Sequence, residues 1–271
     1  MTDAPQGLGD FHNHLVPAVD DGSGTMDDAL EGIQRMVSAG FSRIVTTPHF
    51  DASMLQREPG RAEEYLSRVG EGFRRVAERA RVQFPDLDFR RGHEVRLDVP
   101  DCDFSDERLR LGGTSFVLVE WPRFKIPPET VPVLSRFRAS GYRPIVAHPE
   151  RYHGVAQKLG MVAEWKRAGA FLQMNYGSLV GRYGAEVMNA SFVLLREGLI
   201  DYLCTDFHGR PDLRLYTDEA TQKLEAAGAS ELAVVLGGTN PQRMFRDEAP
   251  LPAPRLPAER GFWGKVRELF T

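Results

Sequence analysis

Cysteine is nearly absent from this chain. Cys102 and Cys204 are the only two in 271 residues, so no disulfide framework is implied. Basic charge is not in excess either. With 34 Lys and Arg against 38 Asp and Glu, the net charge is −4 and the pI near 6.0, which argues against nucleic-acid binding, usually the work of a basic surface. No run approaches the ~18 apolar residues that would span a bilayer. The opening MTDAPQGLGD has neither a basic start nor an apolar stretch, so no secretory signal is expected and a cytoplasmic location is the default. What remains is ordinary for a soluble globular protein, 42% hydrophobic and 27% charged. The length suffices to bury a proper core, in one large domain or two small ones.

What is present is concentrated at the ends of apolar runs. Asp10-Phe11-His12-Asn13-His14 reads as a short strand. Alternation puts His12 and His14 on one face, roughly 5–7 Å apart and able to share one metal ion. The apolar turn after them brings in Asp20 and Asp21 ahead of Gly22.

Helix and strand signals then alternate. Thr25, with Asp28 three residues on, makes an acidic capping box. Ala29, Ile33, Met36 and Val37 recur at helical spacing until Gly40. A long charged helix is predicted over 61–83, with Tyr65, Val69, Phe73 and Val76 as its apolar stripe. Shorter helices are predicted near 129–140, 156–167, 186–197, 213–226 and 230–236, with Asn240-Pro241 starting a last turn. Strands are predicted at 9–13, 42–47, 89–95, 116–120, 142–147, 170–175 and 200–205. Phe116 to Val119 is continuously apolar before Glu120, as expected of a strand buried on both faces. Strands alternating with helices indicate parallel βα units, and seven of them suit a closed (β/α) barrel better than an open sheet. Residues 247–261, with Pro250, Pro252, Pro254 and Pro257, read as a linker to a short final segment, 262–271.

His12, His14, His49, Glu94, Glu120, His148, Asp206 and His208 all fall at or next to strand ends. Barrel enzymes place their chemistry at the carboxyl ends of strands. One such residue is easily a satisfied core histidine or a solvated acid, but eight in register are not. Nitrogen and oxygen donors without thiolate point to manganese, iron or zinc. The set exceeds what one ion needs, so two or three ions are expected a few ångströms apart, the arrangement that clamps an in-line displacement at phosphorus.

The motifs FHNHLVPAVDDG, TTPHF, GHEVRL, VLVEWP, AHPERY and TDFH, in that order from Gly9 to Phe245, closely resemble the PHP (polymerase and histidinol phosphatase) superfamily. Within it they are similar to the bacterial manganese-dependent protein-tyrosine phosphatases of capsule and exopolysaccharide systems. The resemblance implies a distorted, TIM-like (β/α)7 barrel over 9–246, after an extension at 1–8, and a trinuclear metal centre. It implies His12, His14, Asp21, His49, Glu94, Glu120, His148, Asp206 and His208 as ligands, Asp21 being favoured over Asp20 by its spacing from the His-x-His. Manganese is the implied ion, with iron or zinc as alternatives. Arg151 matches an arginine that contacts the substrate phosphate, a role suited to a guanidinium fork. Arg210 matches a second one, although the segment after the Asp-x-His is shorter here and reads HGRP, leaving Arg214 as an alternative.

Cys102 and Arg108 formally satisfy the Cys-x5-Arg signature of cysteine-dependent tyrosine phosphatases. The intervening loop carries Asp103, Asp106 and Glu107 and no glycine, whereas a phosphate cradle needs inward backbone amides and a low thiol pKa. The match is coincidental on these grounds. Cys204 reads as a buried small hydrophobe, and His93 and His153 as neighbours of the ligand motifs rather than ligands. Phe50, Trp121, Phe124, Tyr152, Tyr176 and Phe207 follow strand ends and are candidates either to wall a pocket for a phenyl ring or simply to pack.

The expected activity is therefore hydrolysis of phosphotyrosine in a protein by a metal-activated water. Tyrosine's phenol, with a pKa near 10, leaves more readily than an alkoxide. The alternatives are a PHP phosphatase of a small phosphoester such as histidinol phosphate, and a non-catalytic metal-bound binding module. The implied partner is an autophosphorylating bacterial tyrosine kinase. A helix over the last residues would put Phe262, Val266, Leu269 and Phe270 on one face, which is expected either to pack back on the barrel or to make a peripheral contact with a membrane or the kinase.

Overall fold

The computed structural model describes residues 7–257, so the expected amphipathic segment at 262–271 lies outside the described residues, as does most of the extension at 1–8. The parallel strands are β1 (Leu8–Asp10), β2 (Phe41–Thr46), β3 (His49–Asp51), β4 (Asp88–Arg91), β5 (Glu94–Arg96), β6 (Phe116–Glu120), β7 (Arg143–Ala147), β8 (Phe171–Asn175) and β9 (Tyr202–Cys204). They form two sheets, in the orders β1-β2-β4 and β3-β5-β6-β7-β8-β9. The expected strand at 89–95 is thus split into β4 and β5, and β3 follows the expected strand at 42–47 as an additional short one. Between β2 and β3 stands Pro48, which has no N–H to give a ladder. Between β4 and β5, Gly92 bonds back to the Thr46 carbonyl and Glu94 to that of Pro48. The chain continues in the same direction across both breaks, so β2/β3 and β4/β5 each act as one stave.

Closure comes from the segment after β1. Asn13 bridges Phe207, His14 N donates to Phe207 O (2.8 Å) and Asp206 N to His12 O (2.8 Å). The result is a distorted seven-stave barrel. Along β6 and β7, Val117, Val119 and Val146 pack outward with the helices, while Phe116, Leu118, Ile145 and Ala147 join Phe11, Val45 and Tyr202 in a separate apolar cluster. This is the two-residue period of a strand covered on both faces.

The helices are α1 (Met26–Ser38), α2 (Ser53–Arg57), α3 (Pro59–Gln83), α4 (Thr130–Ala139), α5 (Leu159–Arg167), α6 (Tyr176–Leu179), α7 (Ala185–Arg196), α8 (Thr217–Ala226), α9 (Ser230–Ala233) and α10 (Asn240–Met244). The Thr25–Asp28 capping box of α1 is complete, with both reciprocal bonds formed. Helix α8 starts at Thr217 rather than near 213, because Tyr216 takes a left-handed φ of 61°. Helices α9 and α10 are joined by a wide turn over Val234–Thr239, so the expected last turn continues the preceding helix. The proline-rich stretch forms no helix or strand up to residue 257, yet it is not a free tether there. Leu251 exchanges two bonds with the Asn240 side chain, and Leu256 is buried, its N–H donating to Leu195 O.

Candidate metal centre

The strand ends deliver nine donors to one place. Any His, Asp or Glu group of three or four below has ligand atoms within 4.8 Å of one another: His14, Asp21, His49 and His208; His12, His14 and Asp206; His12, Glu94 and His148; His49, Glu94 and Glu120. All nine residues expected from the sequence are in these groups. The groups overlap, since His12, His14, His49 and Glu94 each belong to two. The overlap lets neighbouring groups share residues.

Glu94 is the hub. Its Oε2 lies 3.0 Å from His49 Nδ1, 3.2 Å from His12 Nε2 and 3.5 Å from His14 Nε2, and its Oε1 lies 3.0 Å from His148 Nε2. Register explains part of this, because His49 and Glu94 open β3 and β5 directly opposite each other. Glu120 ends β6 on the same face as Phe116 and Leu118, with its carboxylate 3.6 Å from His49 Nδ1. For His148 alternation alone would fail, since it would follow Val146 toward the helices. Its backbone instead takes a left-handed turn, φ 35° and ψ 57°, and Asp206 does likewise at φ 49°. Such backbone in non-glycine residues is a mark of functional sites. His49 points Nδ1 at Glu94 and Nε2 at Asp21 (3.5 Å). A neutral imidazole has one lone pair, so it can complete either group but not both.

Residues behind the ligands fix their rings. His12 Nδ1 donates to Gln173 Oε1 (2.8 Å), Gln173 Nε2 donates to Asn175 Oδ1 (2.9 Å), and Asn175 Nδ2 donates to Asp206 Oδ2 (2.8 Å). An amide oxygen can only accept, so Nδ1 of His12 carries the proton and Nε2 presents its lone pair to the centre. Asp20 does the same for His14 (2.7 Å to Nδ1) and also accepts from the His49 and Gly22 amides. Asp20 thus orients the His14 ring, while Asp21 is the one of the pair that falls in a donor group. Gln173 and Asn175 were not singled out from sequence, although two polar residues spaced by two in an otherwise apolar strand were the available signal.

Charge in this pocket is unbalanced in a telling way. Burial opposes a charge on His12, but Glu94 and Asp206 raise its pKa to about 9. Burial and the neighbouring Glu94 push Glu120 up to about 7. Burial lowers His148 to about 4, despite its contact with Glu94. His12 Nε2, His14 Nε2, His49 Nδ1 and Glu94 Oε2 are all buried without a hydrogen-bond partner, which is costly unless something else fills that role. Divalent cations satisfy both demands at once, replacing protons on imidazole and carboxylate alike. The donor set, five imidazoles and four carboxylates with no thiolate, suits them.

Arg151 reaches the edge of this centre, its Nη1 donating to Asp206 Oδ2 (3.0 Å). Its guanidinium lies 4.3 Å from the ring centroid of Phe124 and 4.4 Å from that of Tyr183. Arg210 donates to the main-chain carbonyl of Asp21 at the exposed rim. Arg214 is instead paired with Glu219 in the first turn of α8. Of the aromatic residues, Phe50, Trp121, Tyr152, Tyr176 and Phe207 are core, and Phe124 faces the site, 5.7 Å from His148. His93 is buried against Phe50 and bonded to Arg108 O, outside the donor groups. His153 is tied by its amide to Phe124 O. Burial, with Asp103 and Asp98, pushes Cys102 up to about 12, and Arg108 is engaged by Glu63 and Asp106, so no phosphate loop exists there. Among the described residues no helix is long and apolar enough to cross a membrane.

Residues 8–246 match the family described as capsular polysaccharide synthesis, CpsB/CapC. The chain is 28% identical to the tyrosine-protein phosphatase YwqE of Bacillus subtilis over 252 residues, covering 93% of this chain and 96% of that one. It is 25% identical to the tyrosine-protein phosphatase CpsB of Streptococcus pneumoniae over 254 residues, 88% of this chain and 98% of that one. In three dimensions it superposes with a TM-score of 0.76, at 27% identity, on a chain from the crystal structures of YwqE and CpsB, described as unique metal-dependent tyrosine phosphatases, covering 93% of this chain and all of that one.

Proposed function

Since the chain belongs to the CpsB/CapC family of capsular polysaccharide synthesis proteins, we propose that it is a metal-dependent protein-tyrosine phosphatase, releasing phosphate from phosphotyrosine in a protein. The observation that carries this reading is the convergence of nine nitrogen and oxygen donors in overlapping groups directly beside Arg151. We assign His12, His14, Asp21, His49, Glu94, Glu120, His148, Asp206 and His208 as ligands of two or three ions of manganese, iron or zinc, which mixed imidazole and carboxylate donors without thiolate suit, manganese being the ion that the resemblance implies. Four carboxylates balance two divalent ions. A third ion adds the positive charge that a phosphoryl group of about −2 matches.

When bound, the ions supply Lewis acidity toward the phosphoryl oxygens and a nucleophilic water at neutral pH. The protein's own contribution is positional. Gln173 and Asp20 hold the His12 and His14 rings by their Nδ1 atoms. Asn175 and Arg151 hold Asp206 by its Oδ2. Arg151, stacked between two rings, presents fixed donors to the phosphoryl oxygens, where charge grows in the transition state. Arg210 is assigned the same task from the rim beside Asp21.

The natural partner under this reading is a phosphotyrosine-bearing protein of a capsule or exopolysaccharide system, an autophosphorylating tyrosine kinase, met in the cytoplasm. The segment 262–271 would assist by contacting that kinase or the membrane surface. The test compares phosphate release from a phosphotyrosyl peptide and from histidinol phosphate, before and after chelation, with elemental analysis of the protein. Preference for the peptide, loss of turnover on chelation and two or three ions per chain are expected. Faster turnover of histidinol phosphate would overturn the substrate assignment, and full activity in metal-free protein would overturn the metal assignment.

A further inference from the structure

A column of alternating rings and guanidinium groups leads away from the metal centre. It starts with Phe124, Arg151 and Tyr183. Arg182 then stands 5.3 Å from the ring of Tyr183 and 5.3 Å from that of Tyr216, and Arg214 stands 5.3 Å from Tyr216. The three cations differ in what else they do. Arg151 donates to Asp206, and Arg214 is paired with Glu219. Arg182 is bracketed by Tyr183 and Tyr216, and no carboxylate among the described residues pairs with it.

The local chain builds this arrangement. Gly181 and Gly184 both take left-handed φ, 84° and 94°, making a tight turn that presents Arg182 and Tyr183 together. The turn is pinned by Arg182 N donating to Gly177 O and Gly184 N to Gly181 O, each 3.0 Å. The Arg182 stem lies on Gly177, where an added Cβ would come within 2.9 Å of Cδ. Stacking occupies the faces of a guanidinium and leaves the N–H donors in its plane available. An arginine so held, with no internal counter-ion, is set up to receive an anion from outside.

We propose that Arg182 is a subsite for a second anion on the substrate, two or three residues from the phosphotyrosine. This rests on the phosphatase reading above. The spacing follows from the ring they share: Arg151 and Arg182 lie 4.4 and 5.3 Å from the centroid of Tyr183, so their guanidinium groups are at most about 10 Å apart, a span that two or three residues of extended chain at ~3.4 Å each cover. Both a carboxylate and a second phosphate fit a guanidinium fork. The preferred substrate is thus a segment carrying several negative charges, not an isolated phosphotyrosine.

The test uses the full chain loaded with manganese and three phosphotyrosyl peptides of equal length. One has neutral flanks, one has Glu two and three residues away on each side, and one has a second phosphotyrosine at that distance. Each kcat/KM is divided by that for p-nitrophenyl phosphate on the same preparation, so that any change in the centre itself cancels. The anionic peptides should be favoured by about fivefold, the upper end for an exposed ion pair. Arg182→Gln should bring the ratio to that of the neutral peptide, and Arg182→Lys should keep part of it. Preference for the Glu peptide alone or the doubly phosphorylated peptide alone would identify which anion the subsite takes. Equal ratios for all three peptides in the unmodified protein, or a preference that survives Arg182→Gln, would overturn the proposal. Absence of turnover on every probe would instead be a failure of the phosphatase reading, and the subsite would fall with it.

Discussion

The two ends of the barrel interior are equally buried and energetically opposite. At one end Phe11, Phe116, Leu118 and Ile145 are fully buried among one another. One to three residues further along the same strands, His12, Glu120 and His148 are also buried, at 0%, 6% and 2% exposure. Burying the first group stabilises the fold by roughly 1.5–3 kcal/mol per large side chain. Burying the second costs free energy unless each donor and acceptor finds a partner. Several do not find a hydrogen-bond partner among the described residues. One end of the barrel therefore closes on itself, and the other is built around something the chain does not contain.

The sharpest way to break that contrast is to exchange one residue at each end. Glu94→Gln removes the hub carboxylate and should cut phosphate release by at least ~10³-fold, beyond the ~10–100-fold typical of losing only a partner behind a ligand. Bound metal, read by elemental analysis, should fall with it. Leu118→Ala should do the reverse, costing about 2–5 kcal/mol in denaturant unfolding while the folded fraction keeps its kcat and its metal. A Glu94→Gln protein that retained metal and rate would show that the hub is a structural ion pair.

A smaller effect is expected at the rim. Arg151→Ala should lower kcat/KM on a phosphotyrosyl peptide by ~10²-fold, the loss of one charged transition-state donor, with metal content unchanged. Unchanged kcat/KM would reduce Arg151 to a partner of Asp206. The smallest effect belongs to Cys102, whose half-buried thiol is held far from its reactive form. Cys102→Ser should leave kcat within about twofold, and a folded but inactive variant would refute a metal-based mechanism.

Much of this arrangement was legible from local pattern. The capping box at Thr25, the apolar run ending in Glu120 and the imidazoles and acids at strand ends each depend on residues a few positions apart. Neither the extra strand β3 nor the break between β4 and β5 was anticipated, although Pro48 carries the reason for the first in its missing N–H. The departures at α8 and at α9–α10 have a different origin, since Tyr216 and the Val234–Thr239 turn adopt backbone that their residue types do not announce.

By itself the sequence determined which side chains stand at the ends of the strands, because alternation and apolar runs are properties of neighbouring residues. It also argued against either cysteine as the nucleophile, because three acids and no glycine are written into the loop after Cys102 and Cys204 sits in an apolar strand. Only the tertiary structure decided how those side chains are aimed. Gln173 orients His12 across 161 residues of chain, the left-handed backbone turns His148 inward against the alternation of its own strand, and Tyr216 meets Arg182 from a separate loop. Each of these depends on contacts between elements far apart in the chain, and no local pattern encodes a distance that only closure of the barrel creates.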